Sequence, residues 1–356
     1  MRKSFYFVLS CSILLLSGML SCTNSVRLRV MRPAVIDVPK DIQTLATANR
    51  YKPEKPNRVL NILEGLLSGE GIGTDRRGAE ASLEGLAQVM RESPRFKTTQ
   101  LAVELQGTGM ANFPTPLAAE EVKRLCKLAN ADALVTIEAF DSDSKLTYGT
   151  KTKKEKVGDQ TQDVVYHTVN AGIRVTVGWR MYKASDGSIV DEYRMNKTVN
   201  FNREGRTQAE ATSRLPNKES MTQEIGRVTG NAYASRISPA WFWVNREFYT
   251  KAPKTPEMKI ARNSTRVNDW EGAARIWKGL TGNLNPKVAR KAMYNMAVAC
   301  EVMGDLESAV SWTEQSYKMG LNNALSYNQI LRNRVFEQKR LENQLEKPEQ
   351  GGEGGN

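Results

Sequence analysis

The sequence predicts an α+β/α/β domain, a mixed sheet with packed helices, followed by an all-α helical repeat. Three observations lead there. β-like and helix-like hydrophobic periods alternate from about residue 30 to 250. An Asp186-Gly187 turn joins two alternating strands, and from residue 253 onward only helical periods remain.

Taken in order, Ala34-Val35-Ile36-Asp37-Val38 and Ile42-Gln43-Thr44-Leu45-Ala46 read as short strands bounded by Pro39 and Asn49. Asn57 to Leu67 carries Val59, Ile62, Leu63, Leu66 and Leu67 at the spacing of one helical face. A second helix is expected after Thr74 or Asp75 as cap, burying Leu83, Leu86, Ala87 and Met90. Lys97 to Leu105 reads as a strand and Pro116 to Asn130 as a helix. Ala133-Leu134-Val135-Thr136-Ile137 is almost continuously apolar, the mark of a strand covered on both faces.

The clearest hairpin follows. Ile173, Val175, Val177, Trp179 and Met181 share one face, and the return strand aligns Tyr193, Met195, Val199 and Phe201. A helix from about Glu219 to Ile237 turns Met221, Ile225, Val228 and Ala232 inward. Its Gly226, Gly230 and Ala234, four apart, are expected to let it lie close on the sheet. Trp241 to Tyr249 is the last strand of a domain spanning 30–250.

Within that span, Ala131-Asp132-Ala133-Leu134-Val135-Thr136-Ile137 and Tyr182-Lys183-Ala184-Ser185-Asp186-Gly187-Ser188-Ile189-Val190 resemble the strand and hairpin motifs of the TolB N-terminal and CsgG-like envelope proteins. Ser185-Asp186 stands where that family more often has Lys-Thr. The chain as a whole resembles an uncharacterised lipoprotein family of Bacteroidota, which implies the cell envelope but no known activity.

Residues 253–345 resemble the tetratricopeptide repeat family. Tyr294-Asn295-Met296-Ala297 and Gly304-Asp305-Leu306-Glu307-Ser308-Ala309 stand in repeat order, and the unit before offers Ile260-Ala261 and Asp269-Trp270-Glu271-Gly272-Ala273. Ala261 to Ala297 and Ala273 to Ala309 are each 36 apart, two beyond the usual period of about 34. Two repeats fall short of the three or so that an array needs alone, so the pair should dock on the α/β domain or on a partner. A charged helix from near Asn323 caps them, and the Gly- and Glu-rich tail 346–356 should be disordered.

The amino terminus carries an export signal. Arg2 and Lys3 precede the apolar run Phe5 to Leu16, which closes on Ser17, Gly18 and Ser21. Met19-Leu20-Ser21-Cys22 resembles the lipobox of bacterial lipoproteins, although Met19 and Leu20 depart from its usual form. The resemblance implies a signal peptide over 1–21, fatty acylation of Cys22, and a lipidated tether over 22–29. Thr23 to Leu28 holds no acid, and surface-exposed Bacteroidota lipoproteins typically carry an acidic cluster there. By that resemblance the chain is expected to face the periplasm, with the inner leaflet of the outer membrane favoured and the inner membrane left open.

Composition bounds the partners. Loss of Arg2 and Lys3 lowers the net charge from +12 to +10 over the 335 residues from Cys22 onward. A basic chain suits anionic surfaces, and Arg27, Arg29 and Arg32 sit where headgroup phosphates would be. Plain solubility charge accounts for the balance equally well. Nucleic acid is disfavoured by export.

No catalytic constellation is visible. His167 is the only histidine, and a strand histidine with a local hydrogen bond explains it more simply than a triad base. Cys126 and Cys300 read as buried hydrophobes, and with one histidine they cannot build a zinc site, so no metal or cofactor is expected. Gly69-Glu70-Gly71-Ile72-Gly73 fails as a phosphate loop and reads as a turn. Asp141-Ser142-Asp143-Ser144 reads as a polar loop, and Lys151, Lys153, Lys154 and Lys156 as a basic run in a long loop.

The function expected is that of a protein-binding or assembly component of the envelope. Its partner would meet Tyr294, Asn295 and Glu301 on the second helical unit, the edge of the α/β sheet, and Trp241 and Trp243 if both point outward. Carboxylate-based hydrolysis of cell-wall or glycan material, and an accessory role in a secretion complex, are the alternatives. Oligomeric state stays open.

Overall fold

The computed structural model describes residues 23–53, 71–108 and 111–346. The expected signal peptide, Cys22, the helix expected over Asn57 to Leu67 and the tail from residue 347 lie outside them. In chain order the elements are β1 (Thr23–Arg32), β2 (Thr44–Pro53), α1 (Gly71–Glu92), β3 (Lys97–Gly107), α2 (Ala119–Ala129), β4 (Ala133–Val157), β5 (Gln160–Lys183) and β6 (Ile189–Gly205). They continue as α3 (Gln208–Ser213), α4 (Lys218–Ile237), β7 (Ala240–Tyr249), α5 (Glu257–Arg266), α6 (Trp270–Leu280), α7 (Pro286–Met303), α8 (Leu306–Lys318) and α9 (Asn323–Leu345). The chain divides into a helical unit, Met1–Val30 with Phe242–Lys339, and an α/β unit, Met31–Trp241 with Arg340–Asn356.

The α/β unit is a five-stranded mixed sheet in the order β3-β2-β4-β5-β6. β2 runs parallel to β3 and β4, and the β4–β5 and β5–β6 pairs are antiparallel. Alternation along β4 explains the layering. Ala133, Val135 and Ile137 join α1 and α4 in one core, while Leu134 faces α2 in another with Ala46, Ala48 and Tyr182. Gly187, at φ +75, turns the chain between β5 and β6.

Gly226 and Gly230 of α4 act differently from expectation. They let α4 approach α1, not the sheet: a Cβ on Gly230 would stand 1.8 Å from the Ser82 carbonyl oxygen, and one on Gly226 2.4 Å from that of Gly78. The Ser82 and Thr229 hydroxyls then meet at 3.1 Å across the contact. Val228 and Ala232, expected inward, are exposed because Tyr233 and Ala234 take the buried stripe.

Other local expectations also change. Ala34 to Val38 forms no strand: Gln344 fastens it by accepting from the Ala34 N–H (2.7 Å) and donating to its carbonyl (3.2 Å). β2 begins at Thr44 and runs past Asn49, and Gly71 to Gly73 open α1 instead of forming a turn before it. The Asp141 to Ser144 segment and the lysine run are not loops. Both belong to β4, whose 25 residues pair with β5 down to a two-residue turn at Gly158 and Asp159.

In the helical unit, α5 with α6 and α7 with α8 form successive helix pairs. The equivalent residues Ala261 and Ala297, and Ala273 and Ala309, are fully buried. Asp269 caps α6 through the Gly272 N–H (2.8 Å), and Asp305 caps α8 through that of Ser308 (3.0 Å). The tether expected over 22–29 is, from Thr23 on, strand β1, which forms a two-stranded sheet with β7. β7 therefore contributes to the helical unit from Phe242 onward, ahead of the boundary expected near residue 250.

Candidate functional site

α7 owes its position to an Asn285 cap with Pro286 at its first turn and to Gly304, whose φ of +87 ends it. Its inward face carries the residues singled out for a partner, and the chain's own β7 occupies them. The Tyr249 N–H donates to Asn295 Oδ1 at 2.7 Å, and Asn295 Nδ2 donates to the Tyr249 carbonyl at 2.6 Å. An amide side chain thus closes both backbone bonds that an adjoining strand would make. Tyr294 meets the Tyr249 ring edge-on, and Phe248 lies 5.8 Å from both Trp270 and Trp277.

Glu301 completes this contact at 4% exposure. It accepts from Arg246 Nε (2.7 Å) and Nη2 (3.0 Å), from Tyr327 Oη (2.6 Å), and from Arg334. Burial pushes its carboxyl up, but these donors hold it below the usual carboxylate range. Tyr294, Asn295 and Glu301 are therefore not open to a partner. The inward parity of Arg246 beside Phe248 was the available sequence signal, because an arginine drawn toward a core demands an acid.

The outward face of the same sheet is different. Trp241 and Trp243 are 40% and 58% exposed on β7, and the Arg27 guanidinium of β1 lies 4.5 Å from the Trp243 ring centroid.

In the α/β unit, acids gather where β2 ends and α1 begins, the end of a parallel sheet at which such folds place ligands. Asp75, in the first turns of α1, accepts from the Ser142 hydroxyl of β4. Burial raises its carboxyl to about 6, and the charges of Asp141 and Asp143 push the same way, partly offset by Ser142 and Lys218. Burial and then Asp143 raise Asp141 as well. Sequence reading missed this group because residues 75 and 141 are far apart in the chain. Among the described residues, no group of three or more His, Cys, Asp or Glu side chains is placed to hold a metal ion.

Two further polar sites are accounted for structurally. At the opposite end of the strands, a cleft of about 420 Å³ is lined by Asp41, Lys127 and Asp132. Asp132 is committed to the N–H groups of Gln43 and Thr44 and to the Thr44 hydroxyl. Inside the unit, fully buried Glu138 accepts from Arg50 (2.7 Å), Thr136 (2.6 Å) and Tyr182 (2.7 Å). His167 lies half-buried on β5, opposite Thr150. No helix among the described residues is long and apolar enough to cross a membrane.

Residues 42–249 match a family model described as a domain of unknown function, DUF8603, and residues 259–338 match a second, DUF6340. None of the curated proteins matches the chain.

Proposed function

The chain belongs to the DUF8603 family, and we propose that it is a lipoprotein anchored through Cys22, facing the periplasm and serving as a protein-binding or assembly component of the envelope. In this reading the α/β unit is TolB N-terminal/CsgG-like, and the paired helices are tetratricopeptide-like repeats that hold β7 where a peptide ligand would lie. The observation that supports a binding role is the β4–β5 arm. Among the described residues, β4 pairs with β2 only over Ala133 to Ile137, so its other edge from Glu138 to Val157 has no strand beside it. An open edge of this kind accepts an added strand. The exposed Lys151, Lys154 and Lys156 guard it against indiscriminate pairing, which gives the basic run a physical reason.

A photo-cross-linker at Thr152 should capture a discrete envelope protein in intact cells. Replacing residues 150–167 by a two-residue turn should lose that protein, since Gly149 and Thr168 are paired and can close the shortened hairpin. Unchanged recovery of the partner would refute the reading. A secretion complex is one such assembly; the lysines at the arm's far end argue for an accessory role over a lipid-facing pore wall.

A second reading is favoured by one observation, the Asp75 carboxyl held by Ser142 of β4, whose neighbours in the strand are Asp141 and Asp143. A carboxyl raised to about 6 beside a second acid suits general acid–base hydrolysis of glycan material. Purified cell-wall sacculi should then release soluble sugar with the wild type and not with D75N. No release by the wild type removes this reading.

A further inference from the structure

We infer that the outward face of the β1–β7 sheet, centred on Arg27 and Trp243, seats on the phospholipid headgroups of the membrane that holds the Cys22 lipid. The inference rests on the anchor reading above and adds a second membrane contact to it.

Chain continuity comes first. β1 begins at Thr23, one residue after Cys22, so no flexible tether separates the acylated cysteine from folded backbone. Arg27 is five residues from Cys22, about 17 Å along a strand. A strand attached so closely either stands away from the bilayer or lies along it.

The two faces of β1 decide how it can lie. Val26 packs against the core of the helical unit, and Val30 is buried. Ser25, Arg27 and Arg29 occupy the opposite, exposed parity, and Thr23 to Arg32 contains no acid. On β7, Phe248 is committed to the same core and Arg246 to Glu301, leaving Trp243 outward. The only side that can meet lipid is therefore the one carrying arginine and tryptophan.

That pair has the chemistry of the membrane interface. An indole is stable at headgroup depth, where its ring is half desolvated and its N–H stays wet. A guanidinium makes forked hydrogen bonds to phosphate, and here it lies against the indole ring. Glu247 is the one acid on the outward parity of β7, four residues from Trp243 and so about 13 Å along the strand, which leaves the Arg27 end basic.

The test uses the full acylated chain reconstituted into phosphatidylglycerol-containing vesicles with brominated phosphatidylcholine. Wild-type tryptophan fluorescence should be quenched, and in W243F the quenching should fall by about half or more, because the other strongly exposed indole is Trp241. R27Q should weaken the quenching more at low salt than at high salt. Fatty-acid labelling of Cys22 is measured on the same samples. Labelled protein with no quenching, or with W243F quenched like the wild type, overturns the inference and leaves the anchor standing. Absence of label at Cys22 overturns both.

Discussion

In the helical unit Glu301 is surrounded by Arg246, Arg334 and Tyr327. In the α/β unit Asp75 has the Ser142 hydroxyl, two neighbouring acids and Lys218. Both are taken substantially out of water, yet the first carboxyl is held low and the second is raised to about 6. Desolvation acts the same way on each, so the difference is the number of donors aimed at the charge. A carboxylate met by four donor groups from three side chains clamps β7 to the helices. A carboxyl pressed among acids stores a proton near neutral pH, which is a property of working sites more than of clamps.

The largest test of that contrast is E301A. Removing the acid strands two half-buried arginines and the buried Tyr327 hydroxyl, and a loss of about 3 kcal/mol is expected in urea unfolding of the helical unit. Replacing Arg246 and Glu301 together by Met and Leu should recover most of it, since a buried pair exchanged for matched apolar groups is often neutral.

The pH dependence of the two groups has opposite sign. Glu301 titrates below its unfolded value, so its contribution is present above about pH 4.3 and is lost as pH falls. Asp75 titrates above its unfolded value. Its stabilisation is complete below about pH 3.9 and disappears as pH rises through about 6. D75N should therefore stabilise the α/β unit at pH 8 by about 1–3 kcal/mol and change little at pH 4, read from paired denaturant melts. A D75N chain no more stable at pH 8 than the wild type would break the comparison.

Smaller effects sharpen it. N295A leaves the Tyr249 N–H and carbonyl without their partner and should cost about 1–3 kcal/mol, measured by thermal melting. W243F removes an exposed ring, and its melting should shift by no more than about 0.5 kcal/mol. That near-neutrality separates an outward docking residue from the inward clamp on the same strand.

Much of the candidate site was legible as residues and little of it as geometry. The repeat resemblance marked Tyr294, Asn295 and Glu301 as the face a partner would meet, and they are buried. What they face could not be read, because β7 precedes α7 by more than thirty residues and a groove looks the same in sequence whether it is filled by the same chain or another. The lysine run was read as a loop since strand alternation fails where both faces of an arm are wet: Lys151, Lys154 and Lys156 are all exposed. Hydrophobic period reports burial, and the far rungs of β4 have little to bury.

The amino-acid sequence by itself determined the order of strands and helices from β2 onward apart from the short α3, the mixed α/β region with its Gly187 turn, and the 36-residue recurrence of buried alanines in the helices. Those features are local, set by backbone propensity and by which side chains avoid water. Only the tertiary structure decided that Thr23 to Arg32 is a strand beside β7, that Gly226 and Gly230 serve a helix–helix contact, and that Asp75 meets Ser142 of β4. Each of those depends on a partner distant in the chain, and the energy of a close approach or a buried charge belongs to the pair.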